Sequence, residues 1–233
     1  MKRIIKTIVI LAIITVAGFF VYQKFIQPAP VDSDLEKMKQ SILTEPKVSA
    51  ADLPEDQKNK YLEQYGKARQ ELIQSNLDSL QGVNTVAQIK RILGDMDGAI
   101  TAWEYANIIR PKNSLSFSNM AALYHYDLKQ YDKAEKNYLI SVANDPGDIP
   151  TIRNFFELYF YSLKDNAKAE ALLLDAISNN PSAADLYSLT GKFYADTSRP
   201  GQAIEYYQKH LEINPANEAV RREIERLKTQ ANP

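Results

Sequence analysis

Apolar positions recur along this chain at the spacing of α-helices, and the helices recur at a fixed interval. Four prolines lie 35, 35 and 34 residues apart, and each closes a helix-like run: Pro111, Pro146, Pro181 and Pro215. An alanine stands twelve residues before each proline: Ala99, Ala134, Ala169 and Ala203. A large side chain follows each alanine by four residues: Trp103, Tyr138, Leu173 and Tyr207. Recurrence in phase predicts stacked helical hairpins, in which small residues let the two helix backbones approach closely.

These markers predict an all-α solenoid of four helical hairpins, over residues 80–113, 114–148, 149–183 and 184–217. The two 35-residue repeats have one residue more than the two 34-residue repeats, and we place it in the turn inside the hairpin. Residues 55–79 have apolar positions at helical spacing and predict an N-terminal capping helix or half repeat. Residues 218–233 place Val220, Ile224 and Leu227 on one face and charges on the other, which predicts a C-terminal capping helix.

The chain begins with an apolar run flanked by basic residues. Residues 7–22 carry no charge, and at about 1.5 Å per residue the flanked stretch 7–26 reaches about 30 Å, enough to span a bilayer. Lys2, Arg3 and Lys6 precede the run, so residues 1–6 form a basic tip that the positive-inside rule places in the cytoplasm. We therefore expect a single-pass signal-anchor helix with the remaining chain outside the cytoplasm. The alternative is a cleaved signal peptide followed by secretion.

Residues 27–54 predict a linker, because Pro28, Pro30, Pro46 and Pro54 disfavour packed helix and favour extended chain. Ser33 and Glu36 have the spacing of a capping box, which predicts a short helix inside this linker. That helix is either transient in a spacer, or coiled or partner-bound near the membrane.

The composition is poor in the residue types that most often act in catalysis. There is no cysteine, there are two histidines, and the formal net charge is −1. No phosphate-binding loop, zinc motif or nucleophile elbow occurs in the sequence. We therefore expect no enzyme activity, no metal or other cofactor, no small-molecule substrate and no nucleic-acid partner. His210 and Trp103 fall on helix-packing positions, which favours a structural role for both.

The repeats resemble the tetratricopeptide repeat family. The fourth repeat carries most of its pattern, with Tyr187, Gly191, Tyr194, Ala203, Tyr207 and Pro215. It departs from the pattern at Thr190 and His210, the third repeat has bulky Phe156 where a small residue is usual, and the first repeat has Lys90 where a tyrosine is usual. The resemblance implies a concave face formed by the first helix of each hairpin, which binds peptides or proteins.

Carrying the family's concave positions over to this chain gives a candidate groove that mixes amides, aromatic rings and charges of both signs. Its residues are Asn84, Gln88, Arg91, Asn119, His125, Tyr126, Arg153, Glu157, Phe160, Tyr161 and Lys192. Asn119 matches one element of the family's clamp for a terminal carboxylate, but the other positions differ, so we predict no such clamp.

The resulting expectation is a membrane-tethered adaptor or scaffold that binds a peptide or protein partner, in an envelope, secretion or assembly complex. The alternatives are a structural, self-assembling repeat protein, or an accessory subunit of an enzyme complex, with the groove as a solvated inner face.

Overall fold

The computed structural model describes residues 33–231, and within that range the chain forms eleven α-helices and no β-strand. The helices are α1 (Ser33–Leu43), α2 (Glu55–Gln74), α3 (Leu80–Ile92), α4 (Met96–Ile109), α5 (Leu115–Ala122), α6 (Tyr131–Asn144), α7 (Ile149–Glu157), α8 (Asn166–Asn179), α9 (Ala184–Asp196), α10 (Pro200–Ile213) and α11 (Glu218–Ala231). Among these helices, none has both the length and the apolar character needed to span a bilayer. The predicted tip 1–6 and helix 7–26 lie outside the described residues, as do residues 27–32 of the predicted linker.

Four hairpins form the body of the molecule: α3–α4, α5–α6, α7–α8 and α9–α10. The alanines that marked the repeat in the sequence, Ala99, Ala134, Ala169 and Ala203, are fully buried. Gly191 is equally constrained, because a Cβ atom there would lie 2.7 Å from the Tyr207 ring. Small side chains at these positions therefore set how closely the paired helices approach. The buried side chains form one continuous core from Ile42 to Leu227, with a small satellite cluster around Ile152.

The extra residue of the second and third hairpins does not lie in the turn, contrary to our prediction. All four hairpins have a three-residue turn, at 93–95, 128–130, 163–165 and 197–199. In both hairpins, the first helix instead ends in a π-helical turn. This turn is Leu123–Asp127 after α5 and Leu158–Ser162 after α7. The Leu128 and Leu163 N–H groups donate to carbonyls five residues back, at 3.0 and 2.9 Å, where a regular α-helix would bond four residues back.

Residues 33–54 are not a free linker within the described part of the chain. Helix α1 packs against α4 and buries Ile42 completely, while the Ser49 and Ala50 N–H groups donate to the Leu93 carbonyl. We call residues 33–54 the N-terminal strap. The prediction was wrong here because proline restricts the backbone without preventing burial, and Pro46 itself is buried.

Lys90 explains the weak match of the first repeat. Its side chain is 2% exposed, and Nζ donates to the Thr44 carbonyl at 2.9 Å and to Asp95 Oδ2 at 3.2 Å. The Tyr65 hydroxyl also donates to the Thr44 carbonyl, at 2.6 Å. The repeat pattern is broken at Lys90 because this side chain holds the strap.

Helices cover both ends of the hairpin array. Helix α2 packs on α3, and α11 packs on α10 through Val220, Ile224 and Leu227, which are buried. The opposite face of α11 carries ion pairs of exposed side chains, including Arg221 with Glu218 and Lys228 with Glu225. Charged outer faces end the stacking, since another hairpin would need an apolar surface there.

Candidate interaction surface

The concave face is the surface formed by the exposed side chains of α3, α5, α7 and α9. Neighbouring first helices are joined across it by side-chain hydrogen bonds. Gln88 Nε2 donates to Asn119 Oδ1 at 2.9 Å, and Ser116 Oγ donates to Asn84 Oδ1 at 3.2 Å. Asn84 is buried and also donates to the Leu80 carbonyl, so it contributes mainly to the joint between α3 and α5.

The middle of the concave face is closed by two further cross-helix contacts. Arg91 Nε donates to Asp127 Oδ2 at 2.6 Å, with both side chains partly exposed. The Tyr126 hydroxyl donates to Glu157 Oε2 at 2.8 Å. Burial and this carboxylate contact raise the pKa of the Tyr126 phenol, so it remains a neutral donor. Three predicted residues, Arg91, Tyr126 and Glu157, therefore have bonding partners on this face, and the partner of Arg91, Asp127, was not predicted.

His125 does not line the groove, which corrects the prediction for this residue. It lies in the first π-helical turn and is buried, with only 3% of the residue exposed. Nε2 lies 2.9 Å from Ser162 Oγ of the next hairpin, and the ring stacks on Tyr126 with centroids 4.0 Å apart. Within the described residues, Nδ1 has no hydrogen-bond partner. Burial lowers the pKa of His125.

The far part of the concave face is aromatic and cationic. Phe160 lies in the second π-helical turn and packs against Phe193 of the next hairpin, with ring centroids 5.5 Å apart. Tyr161 beside it is exposed. Lys192 pairs with Asp196 on its own helix at 2.6 Å. Arg153 is exposed and makes no ion pair within residues 33–231.

An apolar groove of about 560 Å³ opens at the near end of the concave face, between α2, α3 and α5. Three predicted residues, Asn84, Gln88 and Asn119, contribute to its lining. The remaining lining residues were not predicted: Tyr61, Gln64, Leu80, Gln81, Thr85, Ile89, Ile92 and Leu115. Ile92 is 38% exposed and Leu115 is 51% exposed, so large apolar side chains face solvent here.

The missed groove residues come from places where the repeat pattern carries no signal. Tyr61 and Gln64 belong to the capping helix, whose orientation over α3 is a tertiary property. Ile92 and Leu115 lie at the end of α3 and at the start of α5. An exposed leucine at a helix start was the available signal, but isolated surface leucines are common.

No group of three or more histidine, aspartate or glutamate side chains in the described part of the chain could hold a metal ion. The raised pKa values of the buried tyrosines come chiefly from burial, and several of these phenols donate to a carboxylate. Such contacts are those of helix packing rather than of a nucleophile with an activating base.

The fold and this surface define a class: a solenoid of helical hairpins that offers a preformed face for interaction. The tetratricopeptide repeat model matches residues 158–218, from the second π-helical turn to the start of α11. This match supports the tetratricopeptide repeat family for that part of the chain, and members of the family are typically scaffolds for protein interaction.

Among solved structures, a double mutant of MamA from RS-1 is 14% identical, with a TM-score of 0.50, covering 66% of this chain and 85% of that one. Pseudomonas aeruginosa pilF is 19% identical, also with a TM-score of 0.50, covering 65% of this chain and 68% of that one. YrrB, described as a TPR protein with an unusual peptide-binding site, is 13% identical with a TM-score of 0.48, covering 88% of this chain and 96% of that one. At these identities, the similarity to MamA and pilF shows the fold alone. No curated protein matches the chain.

Proposed function

We propose that this protein is a membrane-tethered adaptor, which binds a peptide or protein partner along its concave face outside the cytoplasm. The observation that carries the binding role is the apolar groove between α2, α3 and α5, with Ile92 and Leu115 facing solvent. Large exposed apolar side chains in a concave site are typical of ligand-binding surfaces.

The groove lining favours an uncharged, apolar stretch of a partner. None of the described residues that line it carries a charge. The Gln88–Asn119 hydrogen bond holds two amides in place, with one donor on Gln88 and the amide NH2 of Asn119 left to bond a peptide backbone. Because these two side chains are already ordered before a partner binds, the entropic cost of association is lower. We infer that apolar side chains of the partner contact Ile92 and Leu115 while its backbone meets the amides.

An adaptor is favoured over a head-to-tail self-assembling repeat because both ends of the array are covered. The outward face of α11 presents the Arg221–Glu218 and Lys228–Glu225 pairs, and the exposed face of α2 carries Lys67 paired with Glu63. Stacking a second copy there would desolvate these charges without an apolar gain.

The tether in this proposal is the predicted signal-anchor helix 7–26. The strap begins at Ser33, so residues 27–32 alone would separate a membrane helix from the folded array. Six residues span at most about 20 Å. The hairpins would then stay close to the bilayer, as expected for a component of an envelope, secretion or assembly complex.

Photo-cross-linking in cells tests the groove. A photoreactive amino acid at Thr85, on the groove wall, should give a discrete adduct in the full-length chain. Leu115→Glu should remove the adduct, because a carboxylate would be forced into the apolar groove. Leu139→Glu is the matched control, since Leu139 is 53% exposed on α6 and lies outside the groove. Equal adducts with both variants would rule out this groove, and an adduct to an enzyme subunit would identify the accessory role.

Arg153→Glu tests whether the partner extends along the concave face beyond the groove. The residue is exposed on α7, so reversing its charge should weaken the same adduct without lowering the melting temperature. An unchanged adduct would confine the partner to the groove at α3.

Cysteine labelling tests the tether, because the natural chain has no cysteine to interfere. Lys228→Cys should react with a membrane-impermeant maleimide applied from outside the cytoplasm, whereas Lys2→Cys should react only after lysis. Intact mass would show whether the N-terminal segment has been removed. Protection of Lys228→Cys would contradict the proposed orientation.

A further inference from the structure

A tyrosine, a glutamate and a cation join the second and third hairpins. The Tyr159 hydroxyl donates to Glu135 Oε1 at 2.9 Å, and Lys168 Nζ donates to the same oxygen at 2.7 Å. Nζ also lies 5.3 Å from the centre of the Tyr159 ring. We call this arrangement a junction lock.

The same lock joins the third and fourth hairpins. The Tyr194 hydroxyl donates to Glu170 Oε1 at 2.8 Å, and Arg199 Nη1 donates to Glu170 Oε2 at 2.8 Å. The Arg199 guanidinium lies 4.5 Å from the Tyr194 ring centre. Two successive junctions therefore place a carboxylate between a phenol and a cation.

The junction between the first and second hairpins has the phenol and the cation but lacks the carboxylate. Lys133 Nζ lies 5.1 Å from the Tyr124 ring centre, as Lys168 does over Tyr159. Ile100 stands where the other junctions have glutamate, directly after the buried alanine of the hairpin. Lys133 makes no ion pair within residues 33–231. Glu104, one helical turn beyond Ile100, lies near enough to interact with Lys133 through space but does not pair with it.

A cleft opens at this incomplete lock. It measures about 620 Å³, against about 300 Å³ for the corresponding cleft at the next junction. Its apolar and cationic lining includes Met38, Ile108, Phe117, Met120, Tyr124 and Lys133. Ile108 is 53% exposed, and Lys136 on the α6 rim is an exposed second cation.

We propose that this cleft binds an amphipathic helix of a protein partner, with an acidic side chain of that helix completing the lock between Tyr124 and Lys133. The two intact locks show what a carboxylate contacts at this position: a phenol donor and a cation. Two lysines on the rim against the single Glu104 carboxylate favour an acidic occupant. This site is separate from the concave groove.

A helical occupant follows from the neighbouring interface. Helix α1 already packs against α4, with Leu35, Met38 and Ile42 on its apolar side. Met38 also forms a wall of the cleft, so the cleft continues the surface that α1 covers. A second helix lying between α1 and α6 would bury Ile108 and Phe117 by the same spacing of apolar side chains.

Binding of a designed peptide to the full-length chain in detergent micelles tests the proposal. The probe is a fluorescent amphipathic helix of about four turns, with leucines on one face and two glutamates at its edge. Its partner probe carries glutamines in place of the glutamates. We expect the glutamate probe to bind the natural chain, and the glutamine probe to bind about tenfold more weakly. Lys133→Met should lower the affinity for the glutamate probe by a similar factor. Lys209→Met, which removes a ring-stacked lysine on α10, should leave that affinity unchanged.

Ile100→Glu supplies the missing carboxylate from within the chain. It should raise the melting temperature, as an internal lock forms, and it should abolish the preference for the glutamate probe. Equal binding of the two probes, no binding of either, or no effect of Lys133→Met would overturn the proposal. Concentration-dependent self-association that Lys133→Met removes would overturn it in favour of a second copy of this chain.

Discussion

Lys90→Met should release the N-terminal strap, because the lysine is a buried cation at the centre of the contact. The Lys90 and Asp95 side chains are 2% and 6% exposed, and Nζ lies 3.2 Å from Asp95 Oδ2. Methionine has similar volume, so the core remains filled. What is lost is the charge partner of Asp95 and one donor to the Thr44 carbonyl.

The expected cost follows from what remains unpaired. Removing one partner of a buried ion pair typically costs about 3–5 kcal/mol. Asp95 keeps its bond from the Gly98 N–H, and the Thr44 carbonyl keeps the Tyr65 hydroxyl, so the lower figure of about 3 kcal/mol applies. Adding Asp95→Asn removes the uncompensated charge and retains the helix cap. The double variant should therefore be more stable than Lys90→Met alone.

Urea unfolding of the full-length chain measures both free energies, and limited trypsin digestion reports the strap directly. Lys47 is exposed within the strap and should be cleaved faster in Lys90→Met than in the natural chain. Three results would refute the reasoning. They are a loss of less than about 1 kcal/mol in the free energy of unfolding of Lys90→Met, a double variant no more stable than Lys90→Met, and unchanged cleavage at Lys47.

Three further predictions concern the array itself. Burial lowers the pKa of His125 below 6.5, so the stability that depends on its neutral form is present above pH 6.5 and is lost as pH falls below it; His125→Phe should flatten that part of a pH–melting curve. Burial raises the pKa of Glu170, but bonds from the neighbouring cation and phenol outweigh it and hold the pKa below 4.5. The lock should therefore stabilise the array above that pH and fail below it, and Glu170→Gln should cost about 1 kcal/mol at pH 7 and little at pH 3. Ala203→Leu should cost about 1–3 kcal/mol by overpacking, whereas Ala171→Leu, at an exposed position, should leave the melting temperature unchanged.

The candidate surface was predictable where it follows the repeat. Gln88 and Asn119 were both assigned to the concave face, because the first helices of neighbouring hairpins lie side by side in a solenoid, and the two amides are hydrogen-bonded. Tyr61 and Leu115 were missed because one belongs to a capping helix and the other to a helix start. His125 was misplaced because the length of a repeat does not show where its extra residue lies. An extra residue in the turn and one in a π-helical turn give the same repeat length, and only the backbone hydrogen bonds distinguish the two.

The sequence by itself determined the hairpins, because their signals are local. Proline cannot continue a helix beyond its first turn, so the recurring prolines follow the end of the second helix of each hairpin, and alanines such as Ala134 and Ala169 permit close helix approach. The tertiary structure alone decided where the strap packs, where the rings of the π-helical turns point and which side chains meet at the junctions between hairpins. Those properties depend on contacts between residues far apart in the chain, such as Lys90 with Thr44, and no local pattern encodes such a contact.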